Sequence, residues 1–176
     1  MKKIIYSILL IFLSTQIDAK VLISPADAMK QNFTKNTKIS KKTITLTAKQ
    51  AKNLQKAAKA KIKNKKIKLF IAKKSTKTLG YGIIINKKVR SKNAVVLYII
   101  DNKGILKTIE IIAFNEPLEY IPSKTWQKQF QNISTKKKLK LNKDIPTITG
   151  ATLSAKSIVD GSRLAFAFYE EIIKGK

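Results

Sequence analysis

The chain has 176 residues, contains neither cysteine nor histidine, and carries a formal net charge of +27 at pH 7. Without cysteine it can form no disulfide, iron–sulfur cluster or thiolate zinc site. Without histidine, Ser-His-Asp and Cys-His catalytic arrangements are excluded, as are histidine-ligated metals. Any redox chemistry of this chain must therefore come from an organic cofactor.

The first 19 residues have the layout of a secretory signal peptide. Lys2 and Lys3 form a basic start, residues 4–13 are almost all apolar, and the small residue Ala19 ends the segment. Signal peptides show this order, and the apolar run is shorter than the about 20 residues that span a bilayer. We therefore expect export to the periplasm or envelope side of a bacterium. Cleavage after residue 19 and retention as a membrane anchor both remain open.

The positive charge favours anionic partners, but its chemistry argues against nucleic acid. Arg90 and Arg163 are the only arginines, and every other basic residue is lysine. Lysine attracts phosphate but lacks the planar, bidentate group that reads bases. We therefore predict no nucleic-acid partner. A solvated lysine surface would still attract acidic proteins, or anionic head groups at a membrane surface.

Two helices are predicted in the N-terminal helical segment, residues 20–65. Ser24 followed by Pro25 is typical of a helix start. Thr47 is expected to cap a second helix that ends near Ile62, because apolar residues recur there at helical spacing. Residues 37–42 between the two helices are predicted to form a loop.

The remaining residues, 66–176, are predicted to form a domain that combines strands with a long final helix. Four runs favour β-strands: residues 67–72, 81–85, 94–100 and 105–114. Gly104 ends a tight turn between the last two, Ser123 caps a short helix, and residues 154–174 form the long helix. The fold class is therefore α+β, an antiparallel sheet with helices packed on one face and a long C-terminal helix. We expect residues 20–65 and 66–176 to form one globular unit.

Residues 144–156 are distinctive, because hydroxyl-bearing and small residues surround one glycine just before the long helix. Small residues let the backbone approach a ligand closely, and free amides at a helix start favour a phosphate. Thr149, Thr152 and Ser154 can add hydroxyl contacts, and Lys156 can add a positive charge. Ordinary helix capping by Thr152 or Ser154 explains the same residues. The pattern alone leaves both interpretations open.

Residues 149–154 read Thr-Gly-Ala-Thr-Leu-Ser, which resembles the (Ser/Thr)-Gly-Ala-Thr-x-(Ser/Thr) motif of the FMN-binding domain family. Known members include the covalent-flavin subunits of sodium-pumping NADH:quinone oxidoreductases and of Rnf complexes. In that family a separate flavin transferase esterifies the threonine after Gly-Ala to the FMN phosphate. The resemblance implies covalent FMN on Thr152. It also implies cofactor contacts from the neighbouring residues Thr149, Gly150, Ala151, Leu153, Ser154 and Lys156.

The likeness extends less specifically over residues 79–168, and one position departs from it. The family usually has an aspartate three residues before the first Ser/Thr of the motif, where this chain has Pro146. The nearest acid is Asp144, so attachment is expected to be slow or absent unless Asp144 substitutes. The aromatic residues Tyr120, Trp126 and Phe130 are expected in the core, although one of them could line a ring pocket.

The resemblance implies an exported electron-transfer flavoprotein, an electron-carrier subunit rather than a stand-alone enzyme, with no metal. Its implied partners are the flavin transferase, a membrane-bound electron donor and an exported redox acceptor. Two alternatives stay open: a non-catalytic basic envelope protein that binds anionic lipid or an acidic partner, and a noncovalent binder of flavin or another phosphate ligand. Ser-Lys hydrolase chemistry at Ser154 and Lys156 is disfavoured, because an exposed lysine-rich segment does not lower a lysine pKa.

Overall fold

The computed structural model describes residues 20–175, so the predicted signal peptide lies outside the described residues. The strands are β1 (Lys20–Val21), β2 (Lys38–Thr45), β3 (Lys66–Lys74), β4 (Lys77–Lys88), β5 (Asn93–Asp101), β6 (Ile105–Phe114) and β7 (Ile133–Ser134). They form one antiparallel sheet in the order β1-β6-β5-β4-β3-β2, and β7 pairs with β6. Strands β2 to β6 are thus a meander in which sequence neighbours are also neighbours in space.

Within the described part of the chain, four α-helices accompany the sheet: α1 (Pro25–Asn32), α2 (Ala48–Ala58), α3 (Lys124–Gln127) and α4 (Thr152–Phe168). A π-helical turn, Tyr169–Ile173, continues α4, and 3₁₀ turns occupy Leu118–Tyr120 and Lys128–Phe130. The predicted α+β class, antiparallel sheet and long C-terminal helix are confirmed. Within residues 20–175, no helix is long and apolar enough to cross a membrane.

The larger core lies between one face of the sheet and helices α2 and α4. Leu54 of α2 and Ile158 of α4 are both buried there, beside Ile83 and Tyr98 of the central strands. A smaller core on the opposite face holds α1, whose Met29 is fully buried. Because α1 is only two turns long, it covers just part of that second face.

The predicted helix starts are confirmed by their caps. The Ser24 hydroxyl accepts a hydrogen bond from the Asp27 amide at 3.1 Å, and Thr47 forms a complete capping box with Gln50. The second helix ends at Ala58 rather than near Ile62, because Lys59 adopts a left-handed conformation (φ 48°) that turns the chain out of the helix.

The prediction of a loop at residues 37–42 is wrong, because most of this segment belongs to β2. Strand β2 pairs with β3 from Lys38 opposite Lys73 to Thr45 opposite Lys66. It is an edge strand that is mostly exposed on both faces, so its sequence shows no apolar alternation. Its lysines also discourage further strand addition at this edge.

Helix α4 is held firmly to the rest of the fold along its middle. The Tyr98 hydroxyl of β5 donates to the Ile158 carbonyl at 2.9 Å. Gly161 permits this approach, because a Cβ at that position would overlap the tyrosine hydroxyl. Arg163 donates to the Ala58 carbonyl at 2.7 Å and to the Leu139 carbonyl at 3.0 Å, which joins α4 to the end of α2 and to the preceding loop. These hydrogen bonds hold α4 in place against the sheet and α2, and so position its first turn as well.

Candidate functional site at the start of α4

A cleft of about 230 Å³ opens at the first turn of α4. One wall is the segment 150–154, which contains Gly150, Ala151, Thr152, Leu153 and Ser154. The other walls come from distant parts of the chain: the β4–β5 turn, with Val89 and Arg90, and the segment after β6, with Glu116 and Tyr120. The fold thus brings five of the predicted cofactor residues together with four others.

The start of α4 has no side-chain cap. The N-cap residue is Ala151, which offers no hydrogen-bond acceptor to the first-turn amides. Gly150 just before it has φ +78°, a left-handed conformation that suits glycine. Apart from its two chain neighbours, no residue of the described part of the chain has an atom within 4 Å of where the Gly150 Cβ would be. The positive end of the helix dipole therefore faces an open, uncapped position.

Ser154 supplies an independent sign that this position takes a ligand. The side chain is 1% exposed and lines the cleft. Its hydroxyl oxygen has no hydrogen-bond partner among residues 20–175. A buried polar group without a partner costs about 1–3 kcal/mol. A phosphate oxygen at the helix start would accept from this hydroxyl and remove that cost.

Thr152 is the first residue of α4 and is exposed. Its hydroxyl donates to the Ile148 carbonyl at 3.3 Å, which is long for an O–H···O bond. The fold therefore makes little use of this hydroxyl and leaves it accessible. Leu153 beside it is 47% exposed and adds an apolar surface at the mouth of the cleft.

Glu116 forms the opposite wall and organises it. Its buried carboxylate accepts from the backbone amides of Arg90, Ser91 and Lys92 at 3.0, 2.6 and 2.7 Å, and also from the Ser91 hydroxyl. These hydrogen bonds, that from the Lys92 amide above all, lower the pKa of Glu116. The carboxylate is therefore ionised at neutral pH, and its charge is shared among the donors of the turn it holds.

Val89, Arg90, Glu116 and Tyr120 were not predicted as cofactor residues from the sequence. Within the described residues, Arg90 is the only cation that lines the cleft. The scarcity of arginine in this chain was the one signal that could have drawn attention to it. Tyr120 is the predicted aromatic residue that lines the cleft. The other two, Trp126 and Phe130, are buried in the larger core.

Two predicted cofactor residues, Thr149 and Lys156, are exposed and lie outside the lining of the cleft. The approach to the motif is fixed by Trp126, whose indole N–H donates to the Pro146 carbonyl at 2.9 Å. Asp144 is engaged within its own loop: it accepts from the Lys140 amide at 2.8 Å and pairs with Lys137 at 3.1 Å. The Lys140 hydrogen bond and the Lys137 contact both lower the pKa of Asp144.

The fold and the cleft together define a small α+β domain with an uncapped helix start beside apolar and aromatic side chains. Residues 90–167 match the model of the FMN-binding domain family. This match confirms the family resemblance that the motif at residues 149–154 predicted. The matched range includes every cleft residue except Val89. No curated protein matches the chain significantly.

Proposed function

We propose that this protein is an exported electron-transfer flavoprotein that carries FMN through a phosphoester bond to Thr152. The observation that carries the proposal is the buried, unpartnered Ser154 hydroxyl in the cleft, next to an exposed Thr152 at an uncapped helix start. Together these features provide an attachment hydroxyl and a phosphate site within one turn of helix. Both lie inside the matched FMN-binding domain.

Several residues of the cleft would hold the cofactor. The first-turn amides of α4 and the Ser154 hydroxyl would donate to the phosphate, and Arg90 would balance its charge. In the attachment, the Thr152 oxygen would bond to the flavin phosphorus while the bond from that phosphorus to its leaving group breaks, and the leaving group would take up the Thr152 proton. Relative to the chain and free FMN, the net loss is one water. Bound FMN supplies one- and two-electron redox chemistry.

The size of the cleft supports a role in electron transfer rather than substrate turnover. Its volume of about 230 Å³ lies below the roughly 300–1,000 Å³ of pockets that enclose drug-sized ligands. Part of the flavin would therefore stay open to a redox partner. A covalent tether prevents loss of a cofactor that is so incompletely enclosed, which matters most outside the cytoplasm.

The proposed partners follow from the same features. An exposed Thr152 is accessible to a flavin transferase, which the ester requires. The basic start at Lys2 and Lys3, the apolar residues 4–13 and the small residue Ala19 support export. The donor is proposed to be membrane-bound and the acceptor exported, and the net charge of +27 favours acidic docking surfaces on both.

The proposal is tested by intact-mass measurement of protein made in a host that has the transferase and exports the chain. The mature chain should begin at or near Lys20, and its mass should exceed that of the bare chain by one FMN less one water. The yellow colour should survive denaturation, because an ester bond persists in the unfolded chain.

Variants locate the bond. Thr152→Ala should abolish the adduct and change stability by less than about 0.5 kcal/mol, since Thr152 is exposed. Thr149→Ala is the matched control, because it removes an equally exposed hydroxyl outside the cleft, and it should keep an adduct. Pro146→Asp should leave the yield unchanged or raise it. An adduct that persists in Thr152→Ala would show that another hydroxyl is used, and a colourless wild type would overturn the proposal.

A noncovalent flavin binder is the second candidate, and the departure at Pro146 favours it. The uncapped helix start and Ser154 would hold a phosphate whether or not an ester forms. In this case the protein binds added FMN but releases it on denaturation, and Thr152→Ala retains most of the affinity.

A further inference from the structure

Strands β3 and β4 separate at one end of the sheet. Their pairing ends at Leu69 opposite Ile83. Beyond that point β3 stays paired with β2 as far as Lys66, and β4 stays paired with β5 as far as Lys88. Residues 66–68 of β3 and 84–88 of β4 therefore do not pair with each other. An opened sheet edge of this kind presents backbone donors and acceptors.

A pocket of about 320 Å³ occupies this opening, which we call the fork pocket. Apolar side chains line its interior, among them Ile67 and Ile85 of the diverging strands and Leu164 of α4. The rim carries four lysines: Lys61, Lys63, Lys66 and Lys68. Among residues 20–175 no aspartate or glutamate lines it, so the charged residues around the apolar interior are all cationic.

The rim lysines are not neutralised by the protein itself. All four are exposed, and none takes part in an ion pair within residues 20–175. Four like charges around one opening attract a counter-charge from solution.

We propose that the fork pocket binds a small organic anion with an apolar body. The carboxylate, sulfonate or phosphate of the ligand would lie among the rim lysines, and its hydrocarbon part would contact the isoleucine-lined interior. The volume falls in the range of small-molecule sites. A second copy of this chain is disfavoured as occupant, because two chains of charge +27 repel each other.

This site is independent of the function proposed above. The fork pocket shares no lining residue with the cleft at the start of α4. Failure of the fork-pocket experiment would therefore leave the flavin proposal unchanged, and the reverse also holds.

The test uses the fluorescent anion 8-anilinonaphthalene-1-sulfonate on the whole mature chain. The Thr152→Ala variant is the background throughout, so that no attached flavin quenches the signal. One saturable site is expected. Replacing Lys63, Lys66 and Lys68 together by glutamine should weaken binding by about tenfold or more. The matched control replaces Lys49, Lys52 and Lys56 of α2, which removes the same charge from exposed positions outside the pocket and should change affinity much less.

A blocking variant and competitors complete the test. Asn86 is exposed and lines the pocket, so Asn86→Trp should fill it and abolish binding while the thermal midpoint stays unchanged. Octanoate should displace the probe, whereas phosphate should do no more than sodium chloride at equal ionic strength. Binding unaffected by the rim and blocking variants would overturn the proposal, and displacement of such binding by FMN would place the probe in the cleft at the start of α4 instead. So would rim-dependent binding of a polyglutamate peptide that displaces the probe, which would assign the face to an acidic protein.

Discussion

Helices α2 and α4 pack on the same face of the sheet, yet they begin in opposite ways. At the start of α2 the Thr47 hydroxyl accepts from the Gln50 amide at 3.2 Å, and the Gln50 side chain accepts from the Thr47 amide at 2.9 Å. At the start of α4, Ala151 offers no such acceptor. The difference agrees with the proposed function, in which a helix start that only stabilises the fold is capped and one that would hold a phosphate is left uncapped.

Helix α4 is stable without a side-chain cap at its start because other contacts stabilise it. Its middle is bonded to β5 through Tyr98 and to the end of α2 through Arg163. A capped helix start contributes about 1 kcal/mol, which is small beside the burial of a helix of this length. Functional sites commonly lack a stabilising feature that the rest of the fold compensates.

The largest expected effect comes from disturbing the anchored middle of α4. Gly161→Ala places a Cβ against the Tyr98 hydroxyl, and overpacking of this kind costs about 1–3 kcal/mol. Urea unfolding should show the loss. The double variant Gly161→Ala with Tyr98→Phe should lose less than the sum of the two single changes, because the overlapping hydroxyl is gone. Strict additivity would show that this contact does not position the helix.

An intermediate effect is expected from exchanging the two kinds of helix start. Thr47→Ala should cost about 1 kcal/mol and leave FMN binding unchanged. Ala151→Ser should raise stability by up to about 1 kcal/mol, because it supplies the missing acceptor. The same serine should weaken FMN binding, since it competes for the amides that would hold the phosphate. Urea unfolding and quenching of flavin fluorescence measure the two quantities. Tighter FMN binding by Ala151→Ser would contradict the proposed role of the open start.

The smallest expected effect is the pH dependence that Glu116 adds to the free energy of unfolding. Its pKa in the folded chain lies below the ordinary value of 4.5. Its carboxylate therefore contributes stability above the unfolded-state pKa, and this contribution is lost as the pH falls through the folded-state pKa. The stability advantage of wild type over Glu116→Gln should shrink below about pH 4.5. Glu119→Gln is the control, because Glu119 is an exposed carboxylate three residues further along the chain. An equal pH dependence in both variants would show that Glu116 does not organise the cleft wall.

Local features of the fold were predictable because their determinants are close in sequence. Ser24 and Thr47 identified two helix starts, and the turn before β6 follows from Gly104, whose φ is +81°. Asp101 completes that turn by accepting from the Ile105 amide at 2.8 Å. In each case the residues that form the hydrogen bonds lie within four positions of each other.

Strand β2 was not predictable in the same way. Its residues are polar and exposed, and its strand character comes from pairing with β3, more than 20 residues later. The opening between β3 and β4 could not be predicted from the sequence either, because it depends on where the pairing of the two strands ends and not on any residue type.

The sequence by itself determined the chemistry of one helix start. The small residues Gly150 and Ala151, with the hydroxyls of Thr152 and Ser154, lie next to each other, and the lack of cysteine and histidine leaves redox chemistry to an organic cofactor. Only the tertiary structure decided that Arg90 and Glu116 face this segment, and that Thr149 and Lys156 do not line the cleft. The reason is physical: neighbouring residues share a helix turn whatever the fold, whereas the opposite wall depends on how β4, β5 and α4 pack.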